Sequence, residues 1–433
     1  MTTPDLRRVL YVVMNGQVIG DVQRTGKQQM RLRYDADTAG RFTPLSVSMP
    51  GPAGRYRENA IGPWLEGLLP DRPETLRQWR RQFGIAADTS PFALLRHVGE
   101  DVAGAAQFVR PERLESVLRE VGALTELSAP EIADMLRRAL ADLPTSATDS
   151  ATGKFSLAGA QAKIALHRTV GGWSDPSGAV PSTHIVKPAI PTMPDQDLVE
   201  VVTMRAASAL GLRVALCGIE HFDDERAIVI ERYDRVEQPG TGWMRVHQED
   251  MCQALRVAPF RKYESQGGPG AIQVADLIRR VSDDPGADNR RFAQALVFNW
   301  LVCGTDAHAR NYSLLISGTS VRLAPLYDLN SHLAFSTGSG NDLSMSIGGT
   351  FRASRLSVAD WLRVAPRLHV DGDWLAGEIA RQAREVVAAV AAAAEAGDIV
   401  RYESAAMRRL VASVEQWVQT LLPVPESGTG SKV

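Results

Sequence analysis

A chain of 433 residues is long enough for two or three domains, each with a core of its own. Its 44% apolar and 23% charged content excludes a disordered or fibrous protein, and a net charge of −2 leaves no global basic field for independent nucleic-acid binding. Cys217, Cys252 and Cys303 are odd in number and lack metal-ligand spacing, and neither Val9 to Met14 nor Val386 to Ala394 is long enough to span a bilayer, so the expectation is a cytoplasmic protein with no membrane partner.

In chain order, residues 1–112 open with two strand-like runs around Asn15-Gly16, a strong hairpin signal. Further strands are expected at Met30 to Tyr34 and Leu45 to Met49, and helices at Trp64 to Leu69, Glu74 to Phe83 and Pro91 to His97, which together make a small N-terminal α/β subdomain. Residues 113–153 read as a helical segment followed by a polar linker, Leu143 to Gly153, expected to be mobile. Strands dominate 154–240 and helices dominate 241–422, while Pro423 to Val433 is expected to be disordered. No internal repeat is visible.

Three segments of the strand-rich region suit phosphate chemistry. Ser156 to Leu166 is a small-residue loop running into a strand, and such loops let backbone N–H groups approach phosphate oxygens, with Lys163 at the edge. It is not a Walker A sequence. His184-Ile185-Val186-Lys187-Pro188 is an apolar strand ending on a lysine, where a kinase presents an ammonium to the α and β phosphates; Glu200, opening a helical pattern that ends at Gly211, is the candidate partner. Ala227 to Tyr233 reads as a buried strand emerging into an inter-lobe hinge. Standing alone, the first two have bland readings: a turn, and a solvated strand-end lysine.

The most specific signal is Thr305-Asp306-Ala307-His308-Ala309-Arg310-Asn311, followed seventeen residues later by Asp328 in Pro325-Leu326-Tyr327-Asp328-Leu329. Phosphoryl transfer needs one carboxylate to accept a proton and hard oxygen ligands for Mg²⁺. Asp306 is the candidate base, and Asn311 and Asp328 the candidate metal ligands. Gln294 to Val302 reads as a helix behind the loop, and Tyr312 to Ile316 and Val321 to Leu326 as a hairpin beyond it. The bland reading is that Asp306 and Asn311 cap a turn.

In order along the chain, Ser-Leu-Ala-Gly-Ala-Gln-x-Lys from Ser156, His-Ile-x-Lys-Pro from His184, Glu-Arg-Tyr-Asp-Arg from Glu231, His-Gln-Glu-Asp-Met-Cys-Gln-Ala-Leu from His247, Lys-Tyr-Glu-Ser-x-Gly-Gly-Pro-Gly from Lys262, Thr-Asp-Ala-His-Ala-Arg-Asn from Thr305 and Leu-Tyr-Asp-Leu from Leu326 resemble the HipA family of bacterial serine/threonine kinase toxins. The resemblance covers nearly the whole chain. It implies an α+β, protein-kinase-like fold with a β-rich N-lobe, a mostly helical C-lobe and the additional N-terminal subdomain. It further implies an ATP- and Mg²⁺-dependent protein kinase that phosphorylates an aminoacyl-tRNA synthetase, stalls translation and promotes dormancy. A HipB-type helix-turn-helix antitoxin, bound to operator DNA, would hold it in check.

Carried over residue by residue, the resemblance puts the catalytic aspartate at Asp306, the metal ligands at Asn311 and Asp328, the ATP lysine at Lys187 and the adenine hinge at Glu231, Arg232 and Tyr233. The phosphate loop falls on Ala158, Gly159, Ala160, Gln161, Ala162 and Lys163, and the ATP-lining set runs on through His308, Arg310 and Tyr327. Ser156 falls on the serine whose autophosphorylation ejects the loop and silences the kinase. Two departures are visible: Arg310 where lysine is commoner, whose planar fork is not interchangeable with an ammonium, and Ala162 where the loop often has Glu or Pro.

By its own position His308 suits a structural hydrogen-bonding role better than a zinc ligand, and His332 is ambiguous. His247 to Asp250, Lys262 to Glu264 and Gly267 to Gly270 fit either a substrate or regulatory surface or ordinary caps and a glycine turn; Ser336 to Gly349 fits an activation or substrate-binding segment. Two other functions remain open to the sequence: a small-molecule phosphotransferase, which would not need the N-terminal domain, and a catalytically idle scaffold binding antitoxin and DNA, against which the intact acidic set argues.

Overall fold

The computed structural model describes residues 6–25, 29–35, 42–51, 55–141, 156, 159, 161–239, 242–335 and 341–422. The linker from Leu143 to Gly153, loop residues Ala158 and Ala160, Ser336 to Gly340 and the tail from Pro423 lie outside them.

The N-terminal domain is a five-stranded antiparallel sheet in the order Arg55–Arg57, Met30–Tyr34, Gln17–Arg24, Val9–Met14, Ala106–Val109. Asn15 (φ 46°) and Gly16 (φ 75°) both adopt the left-handed conformation that a two-residue hairpin turn requires. Helices Glu58–Glu66, Pro73–Gln82 and Pro91–Val98 follow, and Trp64, Phe92 and Phe108 are sealed in their shared core. Leu45 to Met49 is not the expected strand. Instead of a neighbouring strand, Leu45 N–H donates to Tyr34 Oη at 2.9 Å, Val47 N–H to Glu249 Oε1 at 2.8 Å and Met49 N–H to the Ser46 carbonyl at 2.9 Å in a turn.

The second sheet has six antiparallel strands in the order Cys217–Phe222, Glu225–Glu231, His184–Pro188, Ile164–Thr169, Gly172–Gly178, Gly122–Leu127. Part of the segment expected to be helix and linker therefore belongs to this sheet and its covering layer. Gly122–Leu127 supplies the edge strand, and helix Ala129–Leu140 covers Ile164, Leu166 and Val186 with Ile132 and Leu136. The strand escaped the sequence reading because its first five residues are exposed, which erases the alternating pattern.

Helix Gln196–Ala209 lies against this sheet and against the long helix Gly372–Ala394 of the second lobe. Helices Ala271–Val281, Pro285–Leu301 and Ala405–Leu421 complete a large core around Trp300 and Trp361. A three-stranded sheet, His247–Asp250, Ser313–Ser317, Ser320–Leu323, carries the expected hairpin, with the loop 305–311 running into it. No described helix is long and apolar enough to cross a membrane.

Candidate active site

Between the six-stranded sheet and the helical lobe lies a cavity of about 570 Å³. The strand His184–Pro188 enters it from one side and delivers Lys187, which is 6% exposed. A buried ammonium needs compensating charge. Lys187 Nζ donates to Glu200 Oε1 at 2.7 Å and to Asp328 Oδ1 at 2.9 Å. Burial pushes the Glu200 carboxyl up to about 7 against the pull of Lys187, while Lys187 and its hydrogen bond hold Asp328 well below the usual carboxylate range despite burial. Glu200 is sealed behind the lysine, whereas the Asp328 side chain is 40% exposed and opens on the cavity. Asp328 has φ 57°, a left-handed conformation that Asp tolerates better than most residues and that turns the chain directly after the hairpin.

From the other lobe comes the loop. Asp306 is solvent-exposed at the cavity wall, and Tyr263 Oη donates to its Oδ1 at 2.6 Å. Desolvation by its surroundings and the nearby Asp328 raise its pKa, opposed by Tyr263. Asn311 Nδ2 donates to the Asp306 carbonyl at 3.1 Å, and the Asn311 and His308 N–H groups close the turn at 2.9 and 2.8 Å. These bonds are the turn-capping role of the bland reading, and Asn311 still lines the cavity. His308 is buried and pushed down to about 3, hence neutral, with Nδ1 unpartnered among the described residues and its ring edge-on to Tyr263 at 5.1 Å.

Arg310 lines the cavity, and each nitrogen of its guanidinium has a protein partner: Nε on Asp250 at 3.1 Å, Nη1 on Asp71 and Nη2 on the Gly67 carbonyl at 2.6 Å. In this arrangement it anchors the loop rather than reaching for a phosphate.

In the phosphate loop, Gly159, Gln161 and Lys163 line the cavity. Gly159 has φ 114°, and a Cβ there would lie 2.8 Å from Lys163 Nζ, so only glycine fits. Lys163 donates to the Gln161 carbonyl at 2.9 Å, and burial beside Lys187 pulls its ammonium down to about 8. Ala162 is half-buried behind, against the sheet core. Ser156 does not face the cavity. It is fully buried, its Oγ donates to the Leu68 carbonyl at 2.8 Å and its N–H to the Asp101 carbonyl at 3.0 Å, so the hydroxyl is packed into the N-terminal domain. Although it opens the loop, its hydroxyl points away from where phosphates would lie.

At the hinge, Glu231, Arg232 and Tyr233 line the cavity with Ile185, Ala215 and Ile230, an apolar slot of the kind that accepts a planar ring. The Arg232 side chain turns away to Asp234, Ser182 Oγ at 2.9 Å and the Val102 carbonyl at 2.8 Å, and its backbone N–H donates to the Thr183 carbonyl at 2.9 Å. Tyr233 and Tyr327 lie 5.8 Å apart, and Tyr327 Oη donates to the Arg310 carbonyl at 2.7 Å.

Sequence reasoning missed Asp71 and the apolar walls at Met193 and Phe335. No local pattern marks Asp71, which arrives from the N-terminal domain. The ambiguous segments are resolved as structure close to the site: Glu249 takes Trp64 Nε1 at 2.9 Å across the domain junction, and Asp250 caps the helix Met251–Ala254. From Asn341 on, the Ser/Gly-rich segment is an ordered hairpin whose Ser344 Oγ donates to the Thr305 carbonyl at 2.6 Å.

Among the described residues no three His, Cys, Asp or Glu side chains gather as a metal cage. Two oxygen donors, Asn311 and Asp328, facing one cavity fit Mg²⁺ bound together with phosphates, since that ion keeps waters and substrate oxygens in its shell.

The HipA N-terminal domain model matches residues 10–109 and the HipA-like C-terminal domain model residues 155–397. The chain is 34% identical to the putative kinase Y4mE of Sinorhizobium fredii, over 82% of this chain and 84% of that protein. It is 29% identical to the serine/threonine-protein kinase toxin HipA of Shewanella oneidensis, over 83% of each. A solved structure of Shewanella oneidensis HipA with HipB and operator DNA matches with TM-score 0.77 at 26% identity, covering 95% of this chain and 99% of that one. With a kinase-like α+β fold and both of the family's domains in place, the chain belongs to the HipA family of kinase toxins.

Proposed function

We propose that this protein is an ATP- and Mg²⁺-dependent serine/threonine protein kinase, the toxin of a toxin–antitoxin pair, which phosphorylates a translation component of the aminoacyl-tRNA synthetase class. The observation that carries the reading is the Glu200–Lys187–Asp328 chain of ion pairs opening on the same cavity as Asp306. Lys187 is kept charged for the α and β phosphates, Lys163 flanks the phosphate path, and the slot at Glu231 to Tyr233 takes the adenine. Asn311 and Asp328 would hold Mg²⁺, which when bound neutralises charge on the phosphates. Asp306, fixed through Oδ1 by Tyr263, has Oδ2 to accept the proton of the attacking serine or threonine hydroxyl, and its raised pKa makes it the stronger base.

The partner proposal rests on the solved relative with HipB and operator DNA: a HipB-type antitoxin binds this chain, and operator DNA is reached through it. Self-phosphorylation at Ser156 would silence the enzyme, because a phosphate of about −1.5 to −2 charge has no room in a fully buried site and must drive the loop out. Purified protein, γ-labelled ATP, Mg²⁺ and a lysate of the native host test the reading: a labelled protein band absent with Asp306→Ala supports it, and label confined to small molecules contradicts it.

A further inference from the structure

The N-terminal domain contributes Gly67, Asp71 and Ala103 to the wall of the cavity, and of these only Asp71 brings a charge. Asp71 follows helix Glu58–Glu66 and a short turn, and it lines the cavity beside Asp306, Arg310 and Lys262. Its backbone N–H donates to the Gly159 carbonyl at 3.1 Å, next to a parallel bridge between Pro70 and Gly159. Its carboxylate divides between two cations: Oδ2 accepts from Lys262 Nζ at 2.8 Å, and Oδ1 from Arg310 Nη1. Lys262 precedes Tyr263, the residue whose hydroxyl holds Asp306. The Ala309 N–H also donates to the Lys262 carbonyl at 3.4 Å, so the turn that Asp71 grips is stitched to the loop carrying Asp306.

We infer that Asp71 is a positioning residue for phosphoryl transfer, by which the N-terminal domain sets the phosphate loop, the loop 305–311 and the Lys262-Tyr263 turn in register. The other partners of Arg310 are not enough to do this. Asp250 and the Gly67 carbonyl hold its remaining nitrogens, but among the described residues the Lys262 ammonium has no other carboxylate partner. Loss of the Asp71 charge therefore frees Lys262 first, then Tyr263 and the orientation of Asp306, while the backbone bond to Gly159 and the adenine slot persist. The domain is on this account part of the enzyme's reaction centre. The inference rests on the kinase reading.

The test compares the full-length wild type with Asp71→Asn, Asp71→Glu and Lys262→Met, following ADP release from Mg-ATP, Mg-ATP affinity and amide exchange over residues 259–266. Misplacing a catalytic group lowers turnover more than binding, so Asp71→Asn is expected to lower kcat about tenfold or more with affinity changed less than about threefold. Asp71→Glu should restore part of the loss, Lys262→Met should reproduce it, and combining Lys262→Met with Asp71→Asn should add little. Faster exchange over 259–266 in Asp71→Asn is expected. Wild-type kcat in folded Asp71→Asn, or additive losses in the double variant, would overturn the inference; should Asp71→Asn not fold, Lys262→Met with unchanged kcat overturns it as well. A wild type that releases no more ADP than Asp306→Ala contradicts the kinase reading itself, and unchanged exchange over 259–266 then still decides against Asp71.

Discussion

Lys187 Nζ lies 2.9 Å from Asp328 Oδ1, joining the end of a strand of one lobe to the segment that follows the hairpin of the other across 141 residues of sequence. The pair means that the two candidate nucleotide-binding charges are already assembled, with Glu200 as the sealed third member.

Asp328→Asn removes a formal charge from a hard dication's site while keeping size and the left-handed backbone, which Asn tolerates. Mg²⁺-dependent ATP affinity is expected to fall well below that of the wild type, read by titration calorimetry with and without Mg²⁺. Wild-type affinity would show that Asp328 does not ligate the metal.

Lys163 gives a pH dependence with a definite sign. Its ammonium has been pulled down to about 8, so it loses charge as pH rises through that value, and a triphosphate binds the charged form better. Mg-ATP affinity should weaken from about pH 8 upward, with proton uptake on binding in the same range. Lys163→Met should bind more weakly at neutral pH and lose this slope; a variant retaining it would assign the effect to another group.

Ser156 is buried with its hydroxyl on the Leu68 carbonyl. Ser156→Ala should cost about 1 kcal/mol of stability, measurable by chemical denaturation. After pre-incubation with ATP the wild type should lose transfer activity while Ser156→Ala keeps it. Identical decay of the two proteins would leave the serine as a mere packing residue.

Much of the site could be read from the chain because its chemistry is local. Asp306 and Asn311 sit in one loop, the strand ends on Lys187, and the hairpin presents Asp328. What stayed hidden is what the fold brings from afar. Asp71 and Leu68 reach the phosphate loop from a separate domain, and nothing in their surroundings marks either as near a phosphate. That the Ser156 hydroxyl meets the N-terminal domain was equally hidden, because a loop sequence does not say which wall its side chains meet. Likewise the strand Gly122–Leu127 sits exposed at a sheet edge, without the alternation that betrays a half-buried strand, and Leu45 to Met49, apolar and alternating, spends its N–H groups on Tyr34 and Glu249 instead of a neighbouring strand.

The central claim is protein-directed phosphoryl transfer with Asp306 as the base. Its most direct test is label transfer from γ-labelled ATP with Mg²⁺ into the proteins of a native-host lysate, comparing the wild type with Asp306→Gln at matched folding and nucleotide affinity. The account predicts a discrete labelled protein band for the wild type and none for the variant, because the Gln amide removes the carboxylate that accepts the hydroxyl proton. An equal band with Asp306→Gln, or label found only in small molecules, would contradict it.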